Sequence, residues 1–241
     1  MSNQFLTIIA PVKDEQENIE WTVDRIEKTV TPNHEILIVY DSDKDKTLPV
    51  AKKIKKKNKR LRLIKNTKGY GVLNAIKTGI NKSRGEIIVI IAVDRTDEPR
   101  TINKMYNKIL MGYDVVSPTR YSMGGKVIGK NTIKSILSRL AGITTPFLLG
   151  IPTSDLTYSF KMFRKSVLNK IKIESMGGFE FAEELIIKSH FAGFKIIEVP
   201  TVWIDRKYGK SKFKLASWLP RYIYWYFWGI SMRIKTLMIN K

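Results

Sequence analysis

The sequence predicts an α/β fold built on a mostly parallel sheet with helices on both faces, and three observations carry that prediction. Short runs of β-branched apolar residues alternate with amphipathic helical stripes along the first half of the chain. One run, Ile87 to Ala92, is apolar without alternation and is bounded by Gly85 and Asp94, which is how a strand buried on both faces reads. Polar residues also follow three strands at their carboxyl ends, the edge where open α/β sheets bind ligands: Pro11 to Glu15, Asp41 to Asp45, and Asp94.

Each element follows from local pattern. Phe5 to Ala10 is the first strand and stops before Pro11. Asp14 and Glu17 have the spacing of a capping pair, and Ile19, Val23, Ile26 and Val30 form the apolar stripe of the helix behind them. Glu35 to Val39 is a second strand, followed by a helix with Leu48, Ala51 and Ile54 on one face. Leu61 to Ile64 is the third strand. Gly69 and Gly71 then flank Tyr70 ahead of a helical stripe of Leu73, Ile76 and Ile80. That turn either lets backbone approach a ligand closely or simply makes a tight helix entry.

After the fourth strand, Ile102 to Leu110 is helical, and Val115 and Val116 begin a strand ending in Ser117 to Tyr121. Gly124 and Gly125 open a loop, and Lys130, Lys134, Ser138 and Arg139 mark a basic helical stretch. Thr153 to Phe163 passes from a polar turn into alternating apolar residues, with Asp155 at the lip of a strand or hairpin. Glu180, Glu183 and Glu184 open a helix as partners of its dipole. Lys195 to Val199 is a strand, and Asp205 to Lys212 a basic, turn-rich loop. His34 and His190 read as packing or surface residues.

Ala216 to Ile239 is the most aromatic segment, with Trp218, Tyr222 and the run Tyr224 to Trp228 interrupted by Arg221 and Arg233. It suits an amphipathic helix lying among lipid headgroups, or equally a core or dimer helix. A nucleic-acid surface is disfavoured because no nucleic-acid motif accompanies these residues.

The 43 Lys and Arg against 22 Asp and Glu give a formal charge of +21, which favours anionic partners such as phosphorylated substrates or anionic lipid. A Lys-, Ile- and Asn-rich composition accounts for part of that excess. With no cysteine, a disulfide framework, thiol chemistry and Cys/His metal sites are excluded, and a cytoplasmic location is expected. The N-terminus lacks the pattern of a signal peptide, and no apolar run is long enough for a transmembrane helix.

In order and spacing, the segments APVKDEQENI (10–19), EILIVYDSDKDKT (35–47), KGYGVLNAIKTGI (68–80), GEIIVIIAVDRTDEP (85–99), SPTRY (117–121), SDLTYSFKMFRKSVL (154–168), GGFEFAEELIIKS (177–189) and EVPTVWIDRKYGKSKF (198–213) resemble glycosyltransferase family 2. Within it they resemble the polyprenyl-phosphate sugar synthases typified by dolichol-phosphate mannose synthase. The resemblance implies a single nucleotide-sugar-binding domain of GT-A type over residues 1–213, with 214–241 as a membrane-interfacial helix. It implies an inverting transfer of a mannose- or glucose-type sugar from a nucleoside diphosphate to a polyprenyl phosphate. The enzyme would sit at the cytoplasmic face of a membrane, alone, as a homo-oligomer or beside a membrane-anchor subunit.

Carried over residue by residue, Pro11, Lys13, Glu15, Val39 and Asp41 belong to the nucleoside side, and Ala92, Val93 and Asp94 to the diphosphate side. Arg120, Arg206 and Lys212 would neutralise phosphate oxygens. Lys134 and Ser138, with Arg120, fall where the acceptor phosphate is held. Asp94, Asp155 and Arg206 are the candidates for a direct part in transfer, and Asp94 would ligate Mg²⁺ or Mn²⁺. The chain departs from the family in three places: Ala92 stands for the first acid of the Asp-x-Asp motif, Tyr40 for the first of two paired acids, and Lys13 for an aromatic. Thr96 also stands for a frequent amide ligand. The departures keep two further readings open, a transferase with another lipid, glycan or protein acceptor, and a catalytically silent nucleotide-sugar-binding protein.

Overall fold

The computed structural model describes residues 4–129, 133–206, 208 and 215–239. Lys130 and, from the basic loop, Lys207 and Gly209 to Lys212 lie outside them. Strands β1 (Leu6–Val12), β2 (His34–Tyr40), β3 (Leu61–Lys65) and β4 (Ile87–Ile90) are mutually parallel, and β5 (Val115–Thr119) pairs in parallel with β8 (Ile196–Pro200). A short ribbon joins β6 (Lys126–Ile128) to β9 (Val202–Ile204). Strand β7 (Lys161–Arg164) runs antiparallel between β4 and β5, completing a seven-stranded sheet in the order β3-β2-β1-β4-β7-β5-β8. Pro118 in β5 is in register with Val199 of β8, and on the other side β7 pairs only with Val115 and Val116, so the missing amide hydrogen costs no bond to β7.

Alternation along the strands sorts the core into two layers. Leu6, Ile8 and Ala10 face a layer with residues of α1 (Ile19–Thr29), α2 (Thr47–Lys57) and α4 (Thr101–Leu110). Ile9, Leu37 and Val39 face the other, with α3 (Val72–Lys82), α6 (Lys165–Lys170), α7 (Phe181–Phe191) and α8 (Leu215–Ile239). The central strands are buried on both faces, as their unbroken apolar runs predict.

Helix α5 (Ile133–Leu148) is different: only Gly142 and Thr145 are buried, and Ile133, Ile136, Leu140, Ile143 and Phe147 are exposed. Its seat is tight, since a Cβ on Gly142 would lie 1.9 Å from the Ser154 carbonyl oxygen. Only glycine lets the helix backbone approach the 154–155 segment so closely. Helix α8 is divided. Trp225 is buried, stacks edge-on with Trp228 at 5.7 Å between ring centres and belongs to the core shared with α7. Tyr224, Phe227, Leu237 and Met238 are exposed. Among the described residues no helix is long and apolar enough to cross a membrane.

The expected Asp14–Glu17 capping pair does not form. Asn18 is the N-cap and makes no side-chain cap bond, while Asp14 takes a left-handed backbone with φ of 55°. The β1–α1 loop is instead tied to the next strand's exit, with the Asp14 amide donating to Asp45 and the Glu15 amide to Thr47 Oγ1.

Candidate active site

Parallel β1, β2 and β4 end at the same edge, so the loops after them meet there. At the exit of β2, Asp41 accepts hydrogen bonds from Asn66 Nδ2 at 2.7 Å and from the Gly71 amide at 2.9 Å. It thereby pins the glycine turn into α3, where Gly69 and Gly71 have φ of 93° and 113°. That conformation is why Gly flanks Tyr70 on both sides. Pro11 is half-buried and Lys13 exposed beside it, whereas Val39 and Val93 are buried in the core.

At the junction stands Arg206. Its Nη2 lies 2.9 Å from Asp94 Oδ2 and 3.1 Å from Glu15 Oε1, and its Nε 3.3 Å from Asp94 Oδ2. Burial works against the guanidinium's charge, but Asp94 and Glu15 outweigh it and raise its pKa. The loop after β9 is thus fastened to the loops after β1 and β4. Lys212 lies outside the described residues.

Beyond Asp94 a cavity of about 790 Å³ opens between the sheet edge, α5 and α8. Its polar floor includes Ala92, Asp94, Asp97 and Arg120, with Lys134 and Ser138 entering from α5, and its walls include Leu137, Leu140, Ile223 and Phe227. Arg120 is clamped by Asp155, whose Oδ2 accepts from Nε at 2.7 Å and from the Arg120 amide at 3.0 Å, while Oδ1 accepts from Nη2 at 2.8 Å. The same Nη2 donates to Ser138 Oγ at 2.9 Å. Burial opposes the charge on Arg120, and the Asp155 carboxylate overrides it, keeping the guanidinium protonated. Tyr121 and Tyr158 flank its plane at 5.0 and 4.6 Å from their ring centres. The structure therefore brings Arg120, Ser138 and Lys134 to one cavity, with Asp155 fully buried behind Arg120 and outside the cavity lining, as a group separate from Pro11, Glu15 and Asp41, with Asp94 and Arg206 between the two.

Three buried ionisable groups escaped the sequence reading. Asp97 accepts from Tyr158 Oη at 2.5 Å and from the Ala92 amide at 2.8 Å. Burial, with Asp94 nearby, pushes its carboxyl up to about 7. Lys161 of β7, wholly buried, donates to Ser117 Oγ at 2.8 Å and to the Asp155 carbonyl at 3.1 Å, and burial lowers its pKa to about 7. The acids opening α7 are more than dipole partners. Glu180 accepts from the amides of Gly177 and Gly178, and Glu184 from those of Glu174 and Ser175, stapling that loop to the helix. Glu183 is buried against the cavity, its Oε2 has no hydrogen-bond partner, and burial raises its pKa well above the carboxylate range. Burial thus disfavours the charged form of this acid in the cavity wall. His34 donates from Nδ1 to the Pro32 carbonyl, and His190 packs edge-on against Phe191.

The site does not have the donor set of a resident divalent cation. Ala92 contributes a methyl group, Asp94 Oδ1 is engaged by the Thr96 amide and hydroxyl, and Oδ2 by Arg206. Among the described residues no group of three His, Cys, Asp or Glu side chains is arranged to hold a metal. Hard divalent ions take six or so oxygens.

Comparison with known proteins identifies the family and the fold. The profile of the family described as Glycosyl transferase family 2 matches residues 7–172. A dolichol-phosphate mannosyltransferase of Pyrococcus furiosus is 28% identical over 87% of this chain, which spans only 59% of that protein's length. A polyprenol monophosphomannose synthase of Mycolicibacterium smegmatis is 27% identical over 89% of this chain and 87% of its own. The crystal structure of glucosyl-3-phosphoglycerate synthase from Mycobacterium tuberculosis with Mn²⁺, uridine diphosphate and glucosyl-3-phosphoglycerate superimposes with a TM-score of 0.71. That match covers 95% of this chain and 80% of the other, at 16% identity, and shows a shared fold.

Proposed function

The chain belongs to glycosyl transferase family 2, and from that premise we propose that it transfers a mannose- or glucose-type sugar from a nucleoside diphosphate to a polyprenyl phosphate at the cytoplasmic face of a membrane. One observation carries the choice of acceptor. At its polar end the cavity carries the cations Arg120 and Lys134 beside the acids Asp94 and Asp97, its walls from α5 and α8 are apolar, and those same two helices bear exposed apolar residues. A lipid phosphate has this shape in chemical terms, an ionised head on an apolar chain. The two relatives named for polyprenyl or dolichol phosphate support the reading.

The chemistry asks little of the protein beyond alignment and charge. An oxygen of the acceptor phosphate forms a bond to the anomeric carbon as that carbon's bond to the donor diphosphate breaks. The bonding pair leaves with the nucleoside diphosphate, and configuration inverts. Because the phosphate is already ionised near neutral pH, no general base is needed. Arg120, held rigid by Asp155, would orient the acceptor together with Ser138 and Lys134. Arg206 and Lys212 would offset the charge growing on the leaving group. Glu15 and Asp41 would serve the nucleoside side. The exposed faces of α5 and α8 would lie in the headgroup layer, with the basic surface drawing the chain to anionic lipid.

The test is incubation of the full chain with vesicles containing undecaprenyl phosphate and, one at a time, radiolabelled nucleotide sugars. Label moving into the lipid phase from one donor is the expected result. Measurable donor binding with no transfer from any of them would sink the acceptor assignment and leave the two other readings.

A further inference from the structure

We propose that in this chain the Arg206 guanidinium takes the place of a divalent cation, so that the donor diphosphate is bound and released as a leaving group without metal. The inference rests on the functional reading above and adds to it what holds the charge of the diphosphate.

Two kinds of observation meet here. The first is the donor set, in which the carboxylate expected ahead of Asp94 is the methyl of Ala92, whose amide is turned to Asp97 at 2.8 Å. Asp97 cannot substitute, because it is buried and both its oxygens already accept hydrogen bonds, from Tyr158 and from Ala92. The second is what Asp94 holds instead. Arg206 bonds Asp94 through two nitrogens and bridges from it to Glu15. Glu15 is itself steadied by Asn18, whose Nδ2 donates to Oε2 at 2.8 Å.

The physical case follows from charge and geometry. Removing one acid from the site lowers the negative charge that a phosphate would meet there. A guanidinium is always charged, carries five donors in a planar fork and is weakly hydrated, so it matches phosphate oxygens directly. Two carboxylates holding it in place keep it aimed before the donor arrives, which spares reorganisation when charge develops on the leaving oxygen. The carboxylates here orient a cationic side chain, where in a metal site they would ligate the ion.

The experiment is calorimetric titration of UDP, GDP, CDP and ADP into the full chain, each in EDTA and again in Mn²⁺. For the nucleotide that binds, the affinity is expected to agree within about threefold between the two buffers, a difference of well under 1.4 kcal/mol. In Arg206→Gln it is expected to fall about ten- to a hundredfold in both buffers, the worth of a charge-assisted hydrogen bond. Ala92→Asp, which restores a second carboxylate beside Asp94, is expected to make binding stronger in Mn²⁺ than in EDTA and to bind Mn²⁺ detectably by electron paramagnetic resonance. Wild-type binding that appears only with Mn²⁺ overturns the inference and leaves the functional reading standing. Binding of no nucleotide in either buffer, with circular dichroism showing a folded chain, overturns both.

Discussion

At the scale of single residues, the pair Arg120–Asp155 and the acid Asp97 make opposite demands on the fold. Asp155 is fully buried and neutralises a guanidinium that is itself mostly buried. Asp155→Ala would strand that charge, so the variant should lose about 3–5 kcal/mol of stability in urea unfolding. Asp97 carries a folded-state pKa of about 7 against an ordinary 3.8. Between those values the folded chain keeps a proton that the unfolded chain has released, so this group makes stability fall as pH rises from about 4 to about 7. Asp97→Asn cannot ionise and can still meet Tyr158 and the Ala92 amide. Its stability relative to wild type should therefore climb across that interval and level off above it, as urea unfolding at a series of pH values will show. Asp94, Arg120 and Asp155 were legible in the sequence because each stands in a segment with family spacing. Asp97, Lys161 and Glu183 were not, because sequence shows a charge but not its burial. Glu183 in a first helical turn reads as a dipole partner until the cavity behind it is seen.

At the scale of elements, the main helices and parallel strands were readable from periodicity, but β1 continues through Pro11 to Val12, and the short β6, β9 and α6 were not read. Segment β7 was expected as a strand or hairpin without its antiparallel direction. Its direction has a simple cause. The chain leaves β5 at the ligand-binding edge and runs through β6, α5 and the loop bearing Asp155 at that edge. A strand starting there must run back against its neighbours. Helix α8 is a core helix on one face, with Trp225 buried, and leaves an aromatic face exposed on the other. Trp225→Ala should cost about 3–5 kcal/mol of stability, as an emptied aromatic core site does. Phe227→Glu, on the exposed side, should change stability by no more than about 0.5 kcal/mol. It should nonetheless weaken sedimentation with anionic vesicles, whereas equal vesicle binding by wild type and variant would remove α8 from the membrane surface.

At the scale of the whole molecule, the sheet edge gathers the loops after β1 and β2, a junction at Asp94 and Arg206, and a cavity that passes from charged floor to apolar walls. The order of these parts was visible in the sequence through the loops after each strand. Their separation into two compartments was not, since it depends on how closely α5 seats on the Asp155 segment through Gly142. The central claim is that an ionised lipid phosphate is the nucleophile and that the site supplies alignment, not a base. The most direct measurement compares vesicles containing a polyprenyl phosphate with vesicles containing the free polyprenol of the same length, each given the labelled nucleotide sugar that the chain binds. The account predicts label in the phosphate lipid and none in the alcohol. Equal transfer to both, or transfer to the alcohol alone, would contradict it.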